Sequence, residues 1–175
     1  MHNLTFSMAS QSDQSTILEI LEDAREWLHQ KGINQWPFPY TPEWVHECLE
    51  EQEFFLANAG HITVAVFRLL HTDPFIWGEN TEDAIYIHSL AVRRSWKGQG
   101  IGSGLLRWVE GYAAQNHRAY LRLDCVAENL ALCQYYEQAG FVACGVREFQ
   151  IRQLPYKAQL FEKAVKPHTV VPKNG

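Results

Sequence analysis

The sequence predicts a mixed α+β domain, a twisted sheet with helices on both faces. Three observations carry this. β-rich and helical patterns follow one another in the order β-α-α-β-β-β-α-β-α-β-β, which puts helices on both sides of a sheet. A glycine-rich run, Lys97-Gly98-Gln99-Gly100-Ile101-Gly102-Ser103-Gly104, separates an apolar strand-like segment from a helical one. A composition of 46% hydrophobic and 20% charged residues over 175 positions suits one folded core.

Each element has a local reason. Leu4 to Met8 alternates weakly and reads as a first strand. Ser12-Asp13 offers a helix cap; Ile17, Leu21, Ala24 and Leu28 then recur at helical spacing up to Gly32, a stop signal. The aromatic, proline-marked loop from Gln35 to Tyr40 follows. Thr41-Pro42 starts a second helix with proline in its first position. Phe54 to Ala57 and Ile62 to Leu69 are β-rich and flank the hairpin signal Asn58-Ala59-Gly60-His61. His71 to Asp83 reads as a polar loop, and Ala84 to Val92 as the strand before the glycine run. Ile101 to about Gln115 is helical, with Leu105, Leu106, Val109 and Tyr112 inward. Tyr120 to Val126 reads as a strand, Asn129 to Ala139 as a helix, and Phe141 to Phe149 and Ala158 to Lys163 as closing strands. Residues 1–164 are expected to form one domain. The polar, proline-broken stretch 165–175 is expected to be a mobile tail.

Bulk properties narrow the function. A net charge of −5 disfavours a nucleic-acid partner, which calls for a basic surface. No apolar run approaches the ~18 residues of a membrane span, and the N-terminus lacks a basic segment followed by an apolar one. Cys48, Cys125, Cys133 and Cys144 form neither a C-x-x-C pair nor a zinc spacing, so no metal site is expected. A cytoplasmic protein with reduced thiols is the plain reading.

The glycine run carries the chemistry. A strand that delivers such a turn to a helix N-terminus builds an anion site. Its backbone approaches a ligand closely, and the first-turn N–H groups favour phosphate. The spacing is not G-x-x-x-x-G-K-[ST], because no Lys-Ser or Lys-Thr follows the glycines. It is not G-x-G-x-x-G either, since glycines fall at 98, 100, 102 and 104, and Ser103 lacks the frame of a nucleophile elbow.

The stretch Leu90-Ala91-Val92-Arg93-Arg94-Ser95-Trp96-Lys97-Gly98-Gln99-Gly100-Ile101-Gly102 instead resembles the coenzyme A signature of the GNAT superfamily of acetyl-CoA-dependent N-acyltransferases. That signature is Gln or Arg, two residues, Gly, one residue, then Gly or Ala. Lys97 departs from it in the first place, while Gly100 and Gly102 match. Asn129, Tyr136-Glu137 and Gly140-Phe141 resemble a second family element, an Asn followed seven residues later by Tyr and then by Gly-Phe. The resemblance implies a twisted, mostly antiparallel sheet with a splay between its fourth and fifth strands. It also implies acetyl-CoA as co-substrate, with its diphosphate on the main chain of Gly98, Gln99, Gly100, Ile101, Gly102 and Ser103. The pantetheine arm would lie along Leu90, Ala91 and Val92, with N–H groups near Leu90 facing the thioester oxygen. Arg93, Arg94 or Lys97 would meet the outer phosphates or remain solvated surface.

Acetyl transfer to an amine needs a proton acceptor for the ammonium and a donor for the departing thiolate. Tyr136 matches the family tyrosine and is the expected donor, with Tyr135 on a different helix face. Tyr86, His88 and Leu90 share a strand face. His88 is either the base or a core histidine; Asp124 is either its partner or an ion-pair residue for Arg122. Asn129 is a helix cap, a coenzyme contact, or both. Cys125 and Cys133 read as small core residues. Trp36 and Tyr86 are the expected acceptor contacts, although Trp36 also fits a satellite core beneath its loop. The expected acceptor is a small-molecule amine, attacked without a covalent enzyme intermediate. A non-catalytic coenzyme-binding module and a peptide or protein N-acetyltransferase are the alternatives. Edge strands in this fold often pair, so a homodimer is also an expectation.

Overall fold

The computed structural model describes residues 3–79 and 83–166. Apolar residues at alternate strand positions sort to opposite faces of a sheet and so build two cores. In Phe54–Ala59 (β2), Phe54 and Leu56 turn one way, and Phe55 and Ala57 the other. The first pair meets Gln14–Gln30 (α1) and Pro42–Glu50 (α2), through Ile17, Ile20, Leu21, Val45 and Leu49. The second pair meets Ile101–Gln115 (α4), through Ile101, Leu105, Leu106 and Val109, on the face that also receives Tyr136 of Leu130–Gln138 (α5).

The remaining strands are Leu4–Met8 (β1), Ile62–Leu70 (β3), Ala84–Val92 (β4), Tyr120–Val126 (β5), Val142–Ile151 (β6) and Leu154–Ala164 (β7). They form one seven-stranded sheet in the order β1-β2-β3-β4-β5-β7-β6. All neighbours run antiparallel except β4 and β5, which are parallel and joined through α4. The mixed α+β class with helices on both faces is thus present.

Boundaries differ where local signals were weak. The start of α1 is a 3-10 turn, Gln11–Asp13, whose Asp13 carboxylate accepts from the N–H and hydroxyl of Ser10. The Thr41 hydroxyl caps α2 as expected, accepting from Trp44 N–H at 3.2 Å. A short helix, Pro74–Trp77 (α3), stands inside the stretch read as a polar loop. Its signal was present: Asp73-Pro74 is a cap followed by proline in the first position, and Asp73 Oδ1 accepts from Ile76 N–H.

The β6–β7 hairpin is longer than its apolar pattern suggested and turns at Arg152-Gln153, both at positive φ. A two-residue turn of this hand normally carries Asn-Gly or Asp-Gly, and Arg152-Gln153 carries no such signal. Pro155 is tolerated in β7 because that end pairs only with β6. The expected tail lies, from residue 167 onward, outside the described residues. Among the described residues no helix is long and apolar enough to cross a membrane.

Phe67, fully buried between Phe55 and Trp108, anchors the α4-facing core. Phe67→Ala should cost about 3–5 kcal/mol in chemical denaturation. Val142→Thr, at a position 67% exposed on the edge strand, should shift stability by less than about 0.5 kcal/mol.

Candidate active site

The site begins where two central strands part. β4 and β5 pair only from Ala84–Ile87 against Tyr120–Leu123. Beyond this, the β3–β4 register passes from Arg68↔His88 to Val66↔Ala91, which leaves one extra residue on β4. Ser89 sits in this bulge at φ +49. A bulge bends its strand and sharpens the local twist, so residues 88–92 have no ladder partner on the β5 side. On the opposite bank, the Val126 N–H donates to the Gln35 side-chain oxygen at 2.9 Å. Gln35 is fixed in turn by the Tyr156 hydroxyl, which donates to its main-chain oxygen at 3.1 Å. The loop between α1 and α2 thereby closes one end of the slot.

β4 leads into a 3-10 turn, Arg94–Trp96, and then into the glycine run. Gly98 and Gly100 adopt φ of +77 and +75, a region that glycine enters without a Cβ penalty. Gly100 opens α4, so the N–H groups of Ile101, Gly102 and Ser103 have no carbonyl within the helix to bond. A methyl built on Gly102 would lie 2.7 Å from the Tyr135 hydroxyl, so a larger residue here would displace the end of that side chain. Arg94 stacks on Trp27, 3.7 Å from the ring centroid. Arg93 is engaged elsewhere, by Glu19 and by the main-chain oxygen of Thr63.

The slot widens into a cavity of about 620 Å³. Its wall includes Leu90, Ala91 and Val92 of β4, His88, Asp124, Asn129, and both Tyr135 and Tyr136. The far side is aromatic: Trp36 and Tyr40 from the α1–α2 loop, Phe75 from α3, and Phe149 and Tyr156 from the β6–β7 hairpin. Asn129 caps α5, its side-chain oxygen accepting from Leu132 N–H. Tyr136 is 7% exposed and packs on Phe141 and Phe161. Burial holds its phenol well above the usual tyrosine range, so the hydroxyl keeps its proton.

Three charge-bearing groups converge at the cavity floor. His88 Nε2 lies 2.9 Å from Asp73 Oδ2, and Asp73 is itself fixed as the cap of α3. Asp124 approaches the same point from β5. Single ligand-type atoms of Asp73, His88 and Asp124 all lie within 4.8 Å of one another, close enough to hold a cation or to pass a proton. Burial raises the Asp124 carboxyl to about 6, and the nearby His88 only partly offsets this.

The structure thus gathers His88, Leu90, Ala91, Val92, Asn129, Tyr136 and Trp36 around one cavity. Lys97, Gly98, Gln99, Gly100, Ile101, Gly102 and Ser103 form the adjoining turn and helix start rather than that wall. Tyr86 is not on the wall: it is buried beside Trp77, with Arg122 Nη1 donating to its hydroxyl at 3.2 Å. Arg122 pairs with Glu162, which leaves Asp124 to face His88. Tyr135, expected on another helix face, shares the cavity with Tyr136 because both rings flank the slot. Cys125 and Cys133 are free, with sulfurs 3.6 Å apart, and burial raises the Cys125 thiol. Asp73, Phe75, Phe149 and Tyr156 escaped the sequence because they come from segments distant in the chain; only Asp73-Pro74 carried a local signal.

The model of the acetyltransferase (GNAT) family matches residues 19–141. An uncharacterized N-acetyltransferase, YesJ, of Bacillus subtilis (strain 168) is 33% identical over 141 residues, covering 76% of this chain and 78% of that protein. A GNAT family acetyltransferase of Listeria monocytogenes superposes with a TM-score of 0.77 at 20% identity, covering 94% of this chain and 98% of its own. The yncA structure of Salmonella typhimurium, determined with its cofactor acetyl-CoA, gives 0.69 at 13% identity over 98% of this chain and 99% of its own. At these identities the two structures speak for the fold alone.

The raised Asp124 carboxyl has a pH signature. Ionising it costs more in the fold than in the unfolded chain, where its value is 3.8. This cost is fully present above about pH 6, shrinks as pH falls, and is gone below about pH 4. Asp124→Asn should therefore raise the thermal midpoint at about pH 8 and lose that gain near pH 4. An equal gain at both values would show that Asp124 does not titrate in this way.

Proposed function

This chain belongs to the GNAT family of acetyltransferases, and from that premise we propose that it transfers an acetyl group from acetyl-CoA to the primary amine of a small molecule by direct attack. The observation that carries the reading is the unpaired edge of β4 beyond Ile87, which runs from the free N-terminus of α4 to Tyr136 and His88. An extended arm laid along such an edge bonds as an added strand, and a diphosphate at its end meets the amides of α4. The Tyr135 hydroxyl at Gly102 adds a donor beside them.

Acetyl-CoA supplies an activated acetyl thioester; the chain's own groups position it and handle the protons. His88 takes the proton of the incoming ammonium. With Nε2–H donated to Asp73, Nδ1 is the nitrogen left to accept it. Main-chain N–H groups near Leu90 stabilise the charge that grows on the thioester oxygen. As the amine nitrogen bonds the carbonyl carbon, the carbon–sulfur bond breaks, Tyr136 gives its proton to the departing thiolate, and the second proton shed by the acylated nitrogen restores the phenol. The cavity of about 620 Å³ carries an aromatic wall, a setting that suits a small acceptor.

Tyr136→Phe should lower kcat by about 10²–10⁴-fold while leaving acetyl-CoA affinity within about twofold; unchanged turnover would remove Tyr136 from the mechanism. His88→Ala should lower kcat by about 10²–10⁴-fold in a thiol-release assay, and unchanged turnover would make His88 structural. Gly100→Glu should abolish acetyl-CoA binding in calorimetry, because it fills and charges the anion site. Undiminished affinity would refute that placement of the diphosphate.

A further inference from the structure

We propose that the acceptor is a primary amine bearing one positive charge and a flat apolar body, with no carboxylate of its own. Its ammonium is held by Asp124 and its body lies on the aromatic wall. This inference rests on the acetyltransferase reading above and names its substrate class.

The lining is one-sided in charge. Asp124 is the only Asp or Glu among the described wall residues, and Arg94 the only Lys or Arg, with its guanidinium already stacked on Trp27. A carboxylate on the carbon that carries the ammonium would be brought in beside Asp124, where like charges repel, and the one cation of the described wall, Arg94, lies over Trp27. α-Amino acids are therefore poor fits. An ammonium entering alone finds a half-buried carboxylate, and His88 close enough to that carboxylate to share one site.

The rest of the wall decides the body. Trp36 meets Tyr40 edge-on at 5.7 Å, and Phe149 lies 5.1 Å from Phe75 and 5.3 Å from Tyr156. Aromatic faces bind a flat apolar body well and also attract a cation. The two amide side chains of the described wall have their oxygens engaged, Gln35 with Val126 and Asn129 with Leu132, so neither is left to accept from the hydroxyls of a sugar amine. The nearby Asp73 carboxylate is taken up by His88 and by the cap of the short helix α3, so a polyamine would bring its second charge to a wall with no further open carboxylate among the described residues.

The test is thiol release from acetyl-CoA with a panel of 2-phenylethylamine, phenylalanine, spermidine, glucosamine and a short peptide. We expect kcat/KM for 2-phenylethylamine to exceed that for phenylalanine by at least about 100-fold, the penalty of a carboxylate brought in beside Asp124. Trp36→Ala should raise KM for 2-phenylethylamine by about tenfold while changing KM for ethylamine much less, since only the larger body reaches that wall. Spermidine, glucosamine, phenylalanine or the peptide as the best acceptor would overturn the class while leaving acetyl transfer intact. Absence of thiol release with every amine, in a protein that calorimetry shows to bind acetyl-CoA, would overturn the amine-transfer reading and this inference with it.

Discussion

One extra residue in β4 governs the rest of the molecule. The bulge at Ser89 turns the strand away from β5 after four paired residues. Had the parallel ladder continued, the sheet would have closed over its own centre and left no room for a ligand. Because it stops, two strands present unsatisfied backbone groups to each other across a gap. Buried backbone polar groups seek partners, so the gap favours a ligand that bonds like a strand.

The surrounding structure holds the gap open rather than letting it collapse. On the β5 bank, Gln35 supplies the acceptor that β4 no longer offers, and Tyr156 fixes Gln35 in place. On the β4 bank, the chain remains paired to β3 through Ala91 and Val92, so the strand is bent but anchored. The two cores on opposite sheet faces stiffen both banks, and Phe161 and Phe141 seat α5 so that its tyrosines reach the slot.

The electrostatics follow from the same opening. Asp124 follows the last β5 residue that pairs with β4, and lies near enough to water to ionise yet deep enough for ionisation to be costly. Asp73 arrives at the end of the loop before the short helix α3 and holds one nitrogen of His88. Tyr136 lies at the opposite extreme, a phenol kept neutral by apolar neighbours. An imidazole held by a carboxylate and a protonated phenol thus line one cavity, the pairing on which the proposed proton transfers rest.

What the sequence determined alone was everything encoded by neighbours in the chain. The alternation of Phe54 to Ala57, the cap at Thr41-Pro42 and the glycines of 98–104 each act over a few residues, so those strands, that helix start and the glycine turn before α4 were legible. The spacing of Asn129 and Tyr136 to Gly140-Phe141 pointed to the tyrosine for the same reason. Tertiary structure alone decided which groups meet. Asp73 reaches His88 across 15 positions, and Gln35 reaches Val126 across 91. Period-two alternation put Tyr86 and His88 on one face, yet Arg122 and Trp77 cover the first while the second faces the cavity. Local propensity is set by a residue's own backbone and nearest neighbours. A pocket is set by the packing of segments far apart in the chain, and no pattern within a single segment carries that information.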